Sequence, residues 1–218
     1  LLAEIRQAGT IAFDTETTSL DYMDANIVGF SVAFEAQDNI KAAYIPLAHD
    51  YPDAPSQISL DEIKPSLSEL LADKAIGKVG QNLKYDINVL HKYDLFIDGI
   101  VGDTMLQSYV INSTATRHDM DSLALKYLGH GCISFEDIAG KGAKQLTFNQ
   151  IALEQAAPYA AEDADITLRL FKTFNDMLVK EPKLNEIFAR MELPLMPILS
   201  KIEHNGVLID ADHLHDLS

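Results

Sequence analysis

The sequence predicts a sheet domain of the α/β or α+β class, and three observations support that prediction. Short strand-like segments fill the first third of the chain, and helical and strand-like segments alternate after it. The composition is that of a globular protein, since 47% of the 218 residues are hydrophobic and 23% are charged. This length suits one large domain, or one domain with an appendage.

Three apolar segments near the start of the chain predict an antiparallel meander. They read TIAFDTE, IVGFSVAFE and AAYIPLAHD, and short polar stretches rich in turn-forming residues separate them. Connections of this length join neighbouring strands that run in opposite directions. We therefore expect the first three strands of the sheet to be antiparallel.

After this meander the apolar residues recur with the period of a helix. Helical spacing extends from Leu60 to Leu71, with Pro65 in the first turns. The segment KAIGKVGQN predicts a buried strand, and LKYDINVLHKYD predicts a helix with Asn82 as its expected cap. FIDGIVG predicts one more short strand.

The remaining part of the chain is predicted to be mostly helical. DTMLQSYVIN and MDSLALKYLG predict two helices, with Asp103 and Asp121 as caps or first-turn acids. A long helix is expected from Asn149 to about Val179, and Pro158 either starts its second half or kinks it. The segment MELPLMPIL and the later Asn-Gly turn are typical of a domain boundary.

Charge and cysteine content restrict the partners and the compartment. The formal net charge of −16 weakly disfavours a nucleic-acid partner, unless cations or a neighbouring basic domain offset it. Cys132 is the single cysteine, which fits a reducing compartment. No apolar run predicts a membrane span and no signal peptide opens the chain, so we expect no membrane partner. The first residues lack a Met and are typical of a helix end, so we expect a piece of a longer protein.

Two acids share one side at the end of the first predicted strand. Alternate residues of a strand point the same way, so Asp14 and Glu16 lie together while Phe13 and Thr15 point to the other side. Neighbouring carboxylates repel and raise each other's pKa unless a cation neutralises them. Three interpretations remain open: solvated strand residues, acidic turn residues, or metal ligands.

Two further acids are predicted on otherwise apolar helix faces. Asp86 has apolar neighbours three and four positions away, and burial of a lone carboxylate is costly. Asp163 shares an apolar stripe with Tyr159, although a core tyrosine beside a surface aspartate is the alternative. Glu162 and Asp165 fall on a stripe that is polar throughout and that we expect to face solvent.

Together, these inward-pointing acids predict a divalent-cation site. Carboxylate oxygens are hard ligands that suit Mg²⁺ or Mn²⁺ rather than zinc. No competing set of ligands is expected, because one cysteine excludes a thiolate site and the seven histidines show no HExxH spacing.

Three short motifs make the chain similar to a known nuclease family. DTET, NLKYD and YAAED resemble the exonuclease motifs of the DEDD superfamily, in its tyrosine-bearing DEDDy branch. Longer segments, among them AAYIPLAHDY, GQNLKYD, RHDMDSLA, FEDIAGKG and LTFNQIALE, resemble the proofreading domain of the bacterial DNA polymerase I family, a family A group. The resemblance covers essentially the whole chain, and the combination of motifs is highly specific.

The resemblance implies a fold, an activity and a set of catalytic residues. The fold would be ribonuclease-H-like, a mixed sheet with three antiparallel first strands, flanked by helices. The activity would be 3′→5′ exonuclease activity with two divalent cations, Mg²⁺ or Mn²⁺. Asp14, Glu16 and Asp163 would hold one cation. Asp14 would also hold the second, with Asp86 nearby, and Tyr159 with Glu16 would orient the attacking water.

The resemblance also implies a substrate, a cellular setting and domain boundaries. The substrate would be a single-stranded or frayed 3′ end of DNA, in the bacterial cytoplasm at the nucleoid. Residues 1–187 would form the exonuclease domain, and residues 188–218 the truncated start of a polymerase domain of the same full-length chain. The positions expected to contact the terminal nucleotides are Thr17, Leu20, Gln81, Asn82, Tyr85, Arg117 and Phe135.

Alternatives remain open for the activity and for single residues. An RNA-trimming DEDDy exonuclease shares the catalytic motifs, although MELPLMPIL disfavours it, and a catalytically silent scaffold is possible although all four acids are present. Packing competes with base stacking for Leu20 and Phe135, and solvation competes with a phosphate contact for Arg117. A monomer is the default expectation for the oligomeric state.

Overall fold

A five-stranded mixed sheet forms the centre of the computed structural model, which describes residues 1–37, 39–114 and 117–217. The strands are β1 (Thr10–Thr17), β2 (Ile27–Ala36), β3 (Asn39–Pro46), β4 (Gly77–Gly80) and β5 (Ile100–Asp103). Their order is β3-β2-β1-β4-β5. β2 pairs antiparallel with β1 and with β3, whereas β4 pairs parallel with β1 and with β5. The predicted antiparallel arrangement of the first three strands is confirmed.

Helices cover the sheet, and they precede, separate and follow its strands along the chain. They are α1 (Leu2–Ala8), α2 (Leu60–Ala72), α3 (Leu83–His91), α4 (Thr104–Ile111), α5 (Met120–Leu123), α6 (Phe135–Ala139), α7 (Leu153–Lys180), α8 (Pro182–Ile187), α9 (Leu193–Asn205) and α10 (Ala211–Leu217). Two π-helical turns, Ala124–Leu128 and Phe188–Glu192, continue α5 and α8. In the part of the chain that the structure describes, none of the helices is long and apolar enough to cross a membrane.

The predicted helices are present, and the ends of two of them have local causes. Ser59 and Glu62 form a reciprocal capping box that starts α2 ahead of Pro65. α7 begins at Leu153 rather than at Asn149, because a short 3₁₀ turn precedes it, and it continues through Pro158.

The two faces of β1 pack against different helices. Ile11 and Phe13 belong to a large apolar cluster that includes Leu67 and Leu71 of α2. On the other face, Ala12 packs with residues of α7, and this side chain is small enough to let the long helix approach the sheet closely. α7 is therefore placed directly over the side of β1 that carries Asp14 and Glu16.

Residues beyond position 187 pack on the sheet domain. Met196 of α9 is buried against Leu83 and Ile87 of α3. The hydroxyl of Ser200 donates a hydrogen bond of 2.5 Å to the side-chain oxygen of Asn88. α9 thus shares a small core with α3, and the division of the chain between residues 187 and 188 stays a prediction.

Candidate metal centre

Three carboxylates from two elements converge beside the end of β1. Asp14 and Glu16 lie on the face of β1 that packs against α7, and Asp163 projects from α7. Oxygen atoms of the three side chains lie within 4.8 Å of one another, so a single cation can contact all three. The shared face of Asp14 and Glu16 is confirmed, as is the inward phase of Asp163, which is 7% exposed.

The fourth predicted acid, Asp86, is buried on α3 and is held by β1. Its Oδ1 atom accepts hydrogen bonds from the backbone N–H of Thr15 at 2.9 Å and from the Thr15 hydroxyl at 2.6 Å. In the described part of the chain, Asp86 does not belong to the group of acids formed by Asp14, Glu16 and Asp163, whose oxygen atoms are close enough to bind one ion together. Asp86 is near enough for the charge of Asp14 to affect its pKa.

Burial and mutual repulsion raise the pKa values of these carboxyl groups. For Asp14, burial and then the charge of Asp163 raise the pKa well above its usual range. Burial and the other three acids do the same to the pKa of Glu16. The pKa of Asp163 rises to about 8, through burial first and the charge of Glu162 second. A bound cation would oppose these shifts, because it favours the ionised form of each carboxyl group.

The residues present fit a hard divalent cation. All three side chains that converge offer carboxylate oxygens, the donors that Mg²⁺ and Mn²⁺ prefer. In the described part of the chain, the Oε1 atom of Glu16 is buried without a hydrogen-bond partner. A buried acceptor left in this way is costly, and a cation at the centre of the group would satisfy it.

Tyr159 lies one helical turn before Asp163 and faces the same site. Its ring packs against Phe135 and Phe148, with centroid separations of 6.2 and 6.0 Å. A hydrogen bond from its hydroxyl lowers the pKa of Asp163, in opposition to the effect of burial. Burial raises the pKa of Tyr159 itself, so the hydroxyl stays protonated at neutral pH and acts as a donor.

A cleft of about 560 Å³ opens beside the acids. Six of the seven positions expected to contact nucleotides line it, namely Thr17, Leu20, Gln81, Asn82, Tyr85 and Phe135. Leu20 is 97% exposed and is free to touch a ligand, whereas Phe135 also packs on Tyr159. The Tyr85 hydroxyl lies 2.6 Å from the Thr17 hydroxyl and donates to the backbone oxygen of Ser19 at 2.5 Å.

The seventh position, Arg117, lies outside this cleft. Its side chain is 86% exposed, and its Nε atom lies 3.2 Å from a carboxylate oxygen of Asp119. The structure therefore does not bring Arg117 together with the other six, and its contact with a phosphate stays a prediction.

Asn82 occupies the N-cap position of α3, as expected, but it does not cap the helix through its side chain. Asn82 has a φ of 59°, in the left-handed region, and its side chain makes no capping hydrogen bond. Side-chain caps require an extended backbone at that position. Asp103 takes the role instead, since its Oδ2 atom accepts from the N–H of Leu83 and its Oδ1 atom from the N–H of Leu106.

The expectation that Glu162 faces solvent is wrong. Its side chain is 17% exposed, because the segment after the first π-helical turn folds over this side of α7. One carboxylate oxygen lies 2.8 Å from Nε2 of His130, and the other accepts a hydrogen bond of 2.6 Å from the N–H of Ile133. Asp165 is only slightly more exposed, at 20%, and its carboxylate lies 2.8 Å from Nε of the half-exposed Arg169.

Sequence reasoning missed two groups of residues. Gln145, Leu146, Thr147 and Phe148 line the cleft. The last three belong to LTFNQIALE, which contributes to the family resemblance but indicates no role for a single residue. The second group contradicts the expectation that no other ligand set exists, since ligand atoms of His130, Cys132 and Glu162 lie within 4.8 Å of one another. No spacing motif predicts this group, because folding brings Glu162 to the other two from 30 positions away.

Curated relatives of the chain are DNA polymerases. It is 55% identical over 215 residues to DNA polymerase I of Pseudomonas aeruginosa, and the match covers 98% of this chain and 23% of that protein. It is 41% identical over 233 residues to DNA polymerase I of Rhizobium leguminosarum, with 100% of this chain and 22% of that protein covered. The chain thus spans less than a quarter of the length of these relatives.

Two solved structures share the fold of this chain at low sequence identity. The POL domain of Pol1 from M. smegmatis, in complex with DNA primer-template and dNTP, has a TM-score of 0.76 at 20% identity, over 99% of this chain and 32% of that one. Brucella melitensis NrnC has a TM-score of 0.67 at 18% identity, over 93% of this chain and 88% of that one. The predicted ribonuclease-H-like α/β fold is confirmed.

A family model described as 3′-5′ exonuclease matches residues 1–179. The match includes the three converging carboxylates, Asp86 and Tyr159. The chain therefore belongs to the 3′-5′ exonuclease domain family of bacterial DNA polymerase I.

Proposed function

We propose that the chain hydrolyses single-stranded or frayed 3′ ends of DNA to nucleoside 5′-monophosphates. The observation that carries this proposal is the convergence of Asp14, Glu16 and Asp163 within 4.8 Å in the wall of an open cleft. Exonuclease relatives that are DNA polymerases support DNA as the substrate. The cleft, with about 560 Å³ of space, is large enough for a terminal nucleotide.

The acids would hold two divalent cations, Mg²⁺ or Mn²⁺. Asp14, Glu16 and Asp163 would hold one, and Asp14, with Asp86 nearby, would hold the other. When bound, the cations lower the pKa of a water molecule and offset charge at the leaving 3′ oxygen. Thr15 fixes the carboxylate of Asp86 through two hydrogen bonds and so positions it for this role.

Groups around the acids would orient the water and the DNA end. The protonated Tyr159 hydroxyl can donate a hydrogen bond at the site, and the Glu16 carboxylate can accept one. Held by these two groups, a water molecule would face the terminal phosphate in a fixed direction, which favours attack. Leu20 and Phe135 would pack against unpaired bases, a contact that tolerates any sequence.

The proposal also covers the full-length protein that contains this domain and its location in the cell. The relatives are more than four times as long as the match, so we place this domain, at residues 1–187, ahead of a polymerase domain in one full-length protein. Its relatives are bacterial, which supports a location in the cytoplasm, and we propose that it works at the nucleoid. The bound cations would offset part of the net charge of −16, which otherwise repels DNA.

The test is metal-dependent digestion of labelled single-stranded DNA and of RNA with the same sequence. We expect Mg²⁺ or Mn²⁺ to release nucleoside 5′-monophosphates from DNA, and excess EDTA to abolish the release. Digestion that persists in EDTA would contradict the cation mechanism. Faster digestion of RNA would favour the RNA-trimming alternative, and inactivity on both substrates would favour a silent scaffold.

Digestion of duplex DNA tests whether the rate depends on fraying of the 3′ end. Unpairing a base costs a few kcal/mol, and less at a mismatch. We expect single-stranded DNA to be digested fastest, mismatched 3′ ends next and fully paired ends slowest, with smaller differences at higher temperature. Equal rates on paired and single-stranded ends would show that the domain opens duplexes itself.

A further inference from the structure

Next to the three acids, a second group of ligands of different chemistry lies beside the same turn of α7. It consists of the His130 imidazole, the Cys132 thiol and the Glu162 carboxylate, whose ligand atoms lie within 4.8 Å of one another. Glu162 directly precedes Asp163 in the helix, so neighbouring residues serve two separate groups.

We propose that His130, Cys132 and Glu162 form a binding site for Zn²⁺ that is distinct from the carboxylate site. Nitrogen, sulfur and oxygen donors together are typical of zinc, whereas Mg²⁺ and Mn²⁺ rarely take sulfur. The carboxylate site offers oxygen donors alone. The two sites therefore select different classes of ion although they lie side by side.

The geometry of the group is close to what zinc requires. Tetrahedral zinc has bonds of about 2.0 to 2.3 Å to these atoms, which places its ligand atoms about 3.3 to 3.8 Å apart. Nε2 of His130 and Oε1 of Glu162 are already 2.8 Å apart, and all ligand atoms are within 4.8 Å. Side-chain rotations that move these atoms by about 1 Å suffice to enclose the ion.

The backbone around the group fixes two of the three ligands. The N–H of Ile133 donates to Oε2 of Glu162, which leaves Oε1 directed at the histidine. The N–H of His130 donates to the backbone oxygen of Ala124 at 3.2 Å, and this anchors the segment to the first residue of the π-helical turn. Outer contacts of this kind orient the ligands of a metal before it binds.

The site also has an entry path and a place for a fourth ligand. The His130 side chain is 41% exposed, so an ion can arrive from solvent. Asp121 of α5 hydrogen-bonds the Cys132 thiol but is not among the ligand atoms that lie within 4.8 Å of one another, so the fourth ligand would be a water molecule or Asp121 after a side-chain rotation. Zinc binding would release the thiol proton to solvent and leave a thiolate on the metal.

Cobalt substitution tests the proposal, because Co²⁺ bound to a thiolate has a charge-transfer band in the near ultraviolet. The chain contains one cysteine, so this band reports Cys132 alone. The purified protein is titrated with Co²⁺ in excess Mg²⁺, which occupies the carboxylate site. We expect the band to saturate at one Co²⁺ per chain and to disappear when one equivalent of Zn²⁺ is added, since zinc binds such sites more tightly than cobalt.

Amino-acid substitutions distinguish Zn²⁺ binding at this site from binding at the carboxylate site and from nonspecific binding elsewhere on the surface. Cys132→Ser and His130→Gln should each weaken Zn²⁺ binding by roughly tenfold or more in a chelator competition. Asp14→Asn in the carboxylate site and His213→Gln on the exposed helix α10 should bind Zn²⁺ like the original chain. Circular dichroism checks that each variant is folded.

Three results would overturn the proposal. The first is the absence of a charge-transfer band at saturating Co²⁺. The second is a band that Asp14→Asn removes, because the ion would then belong to the carboxylate site. The third is unchanged Zn²⁺ affinity in a folded His130→Gln chain. None of these results depends on nuclease activity, so failure here and failure of the proposed nuclease function can be told apart.

Discussion

The two faces of strand β1 differ in their effect on the stability of the fold. On one face Ile11 and Phe13 are fully buried in the large apolar cluster. On the other face Asp14 and Glu16 stand beside Asp163 under α7, and burial and repulsion raise the pKa of all three. The first face stabilises the fold, whereas the second holds like charges together at a cost in stability.

This difference indicates how the molecule tolerates a costly site. Three carboxylates in one place are unfavourable without a cation, so the rest of the fold must hold them there. The apolar face of β1 supplies that support within the same strand, since its side chains stack between the sheet and α2. Substitutions on the two faces should therefore separate activity from stability.

The largest expected effect is on activity, at Asp163. Asp163→Ala should lower nuclease turnover by roughly a thousandfold or more, because a cation provides several kcal/mol of charge stabilisation in the transition state. The metal-free protein should stay folded, with equal or slightly higher stability. Steady-state digestion of single-stranded DNA and urea denaturation in EDTA measure the two quantities.

Asp165→Ala is the matched control for this substitution. It removes a carboxylate from the same helix, and that carboxylate is paired with the half-exposed Arg169 rather than with the carboxylate site. We expect turnover close to that of the original chain. An inactive Asp165→Ala or a fully active Asp163→Ala would contradict the assignment of the two sides of α7. Glu162 is unsuitable as a control, because it holds the segment of His130 and Ile133.

The second effect is on stability, at the opposite face of β1. Phe13 is fully buried and stacks on Phe30 with a centroid separation of 5.8 Å. Phe13→Ala should lower the free energy of unfolding by about 3 to 5 kcal/mol, measured by urea denaturation. Phe96→Ala, at an exposed phenylalanine, should change it little. If Phe13→Ala costs no more than Phe96→Ala, the apolar face does not support the site as described.

The third effect is smaller and concerns the Tyr159 hydroxyl. Tyr159→Phe should lower turnover by roughly 10- to 100-fold, because the water loses one of the groups that orient it. The ring contacts with Phe135 and Phe148 remain, so the melting temperature should change little. Turnover and Mg²⁺ activation curves measure the effect. Unchanged turnover would assign Tyr159 to packing alone.

The smallest effect is a dependence of stability on pH in the absence of metal. The pKa of Asp163 rises from 3.8 to about 8 on folding, so the folded state holds a proton that the unfolded state has lost between these values. The contribution of Asp163 is therefore complete below about pH 4 and is lost as the pH rises through about 8. Urea denaturation in EDTA at several pH values should show the free energy of unfolding declining across this range.

Two comparisons identify the source of this decline. Asp163→Asn carries no titrating group at this position, so its stability should decline less over the same pH range. Mg²⁺ should restore stability most at high pH, since it binds the ionised carboxylates of the folded state. Identical pH profiles of the original chain and Asp163→Asn would contradict the raised pKa.

Local periodicity in the sequence determined much of the candidate site. Alternation along one strand was enough to put Asp14 and Glu16 on the same face, and the phase of one helix separated Asp163 from Asp165. Short polar connections predicted the antiparallel first half of the sheet. These properties depend on neighbours a few residues away, and such neighbours are visible in a single sequence.

Only the tertiary structure decided which distant groups meet. Thr15 holds Asp86 across 71 positions, and the Asp103 side chain, 20 positions from Leu83, makes the capping hydrogen bond that the Asn82 side chain does not make. Glu162 is covered by a segment about 30 positions earlier in the chain, although its helical phase predicted solvent exposure. Hydrogen bonding and burial at these sites depend on where loops pack after folding, and the period of a helix or strand carries no record of that packing.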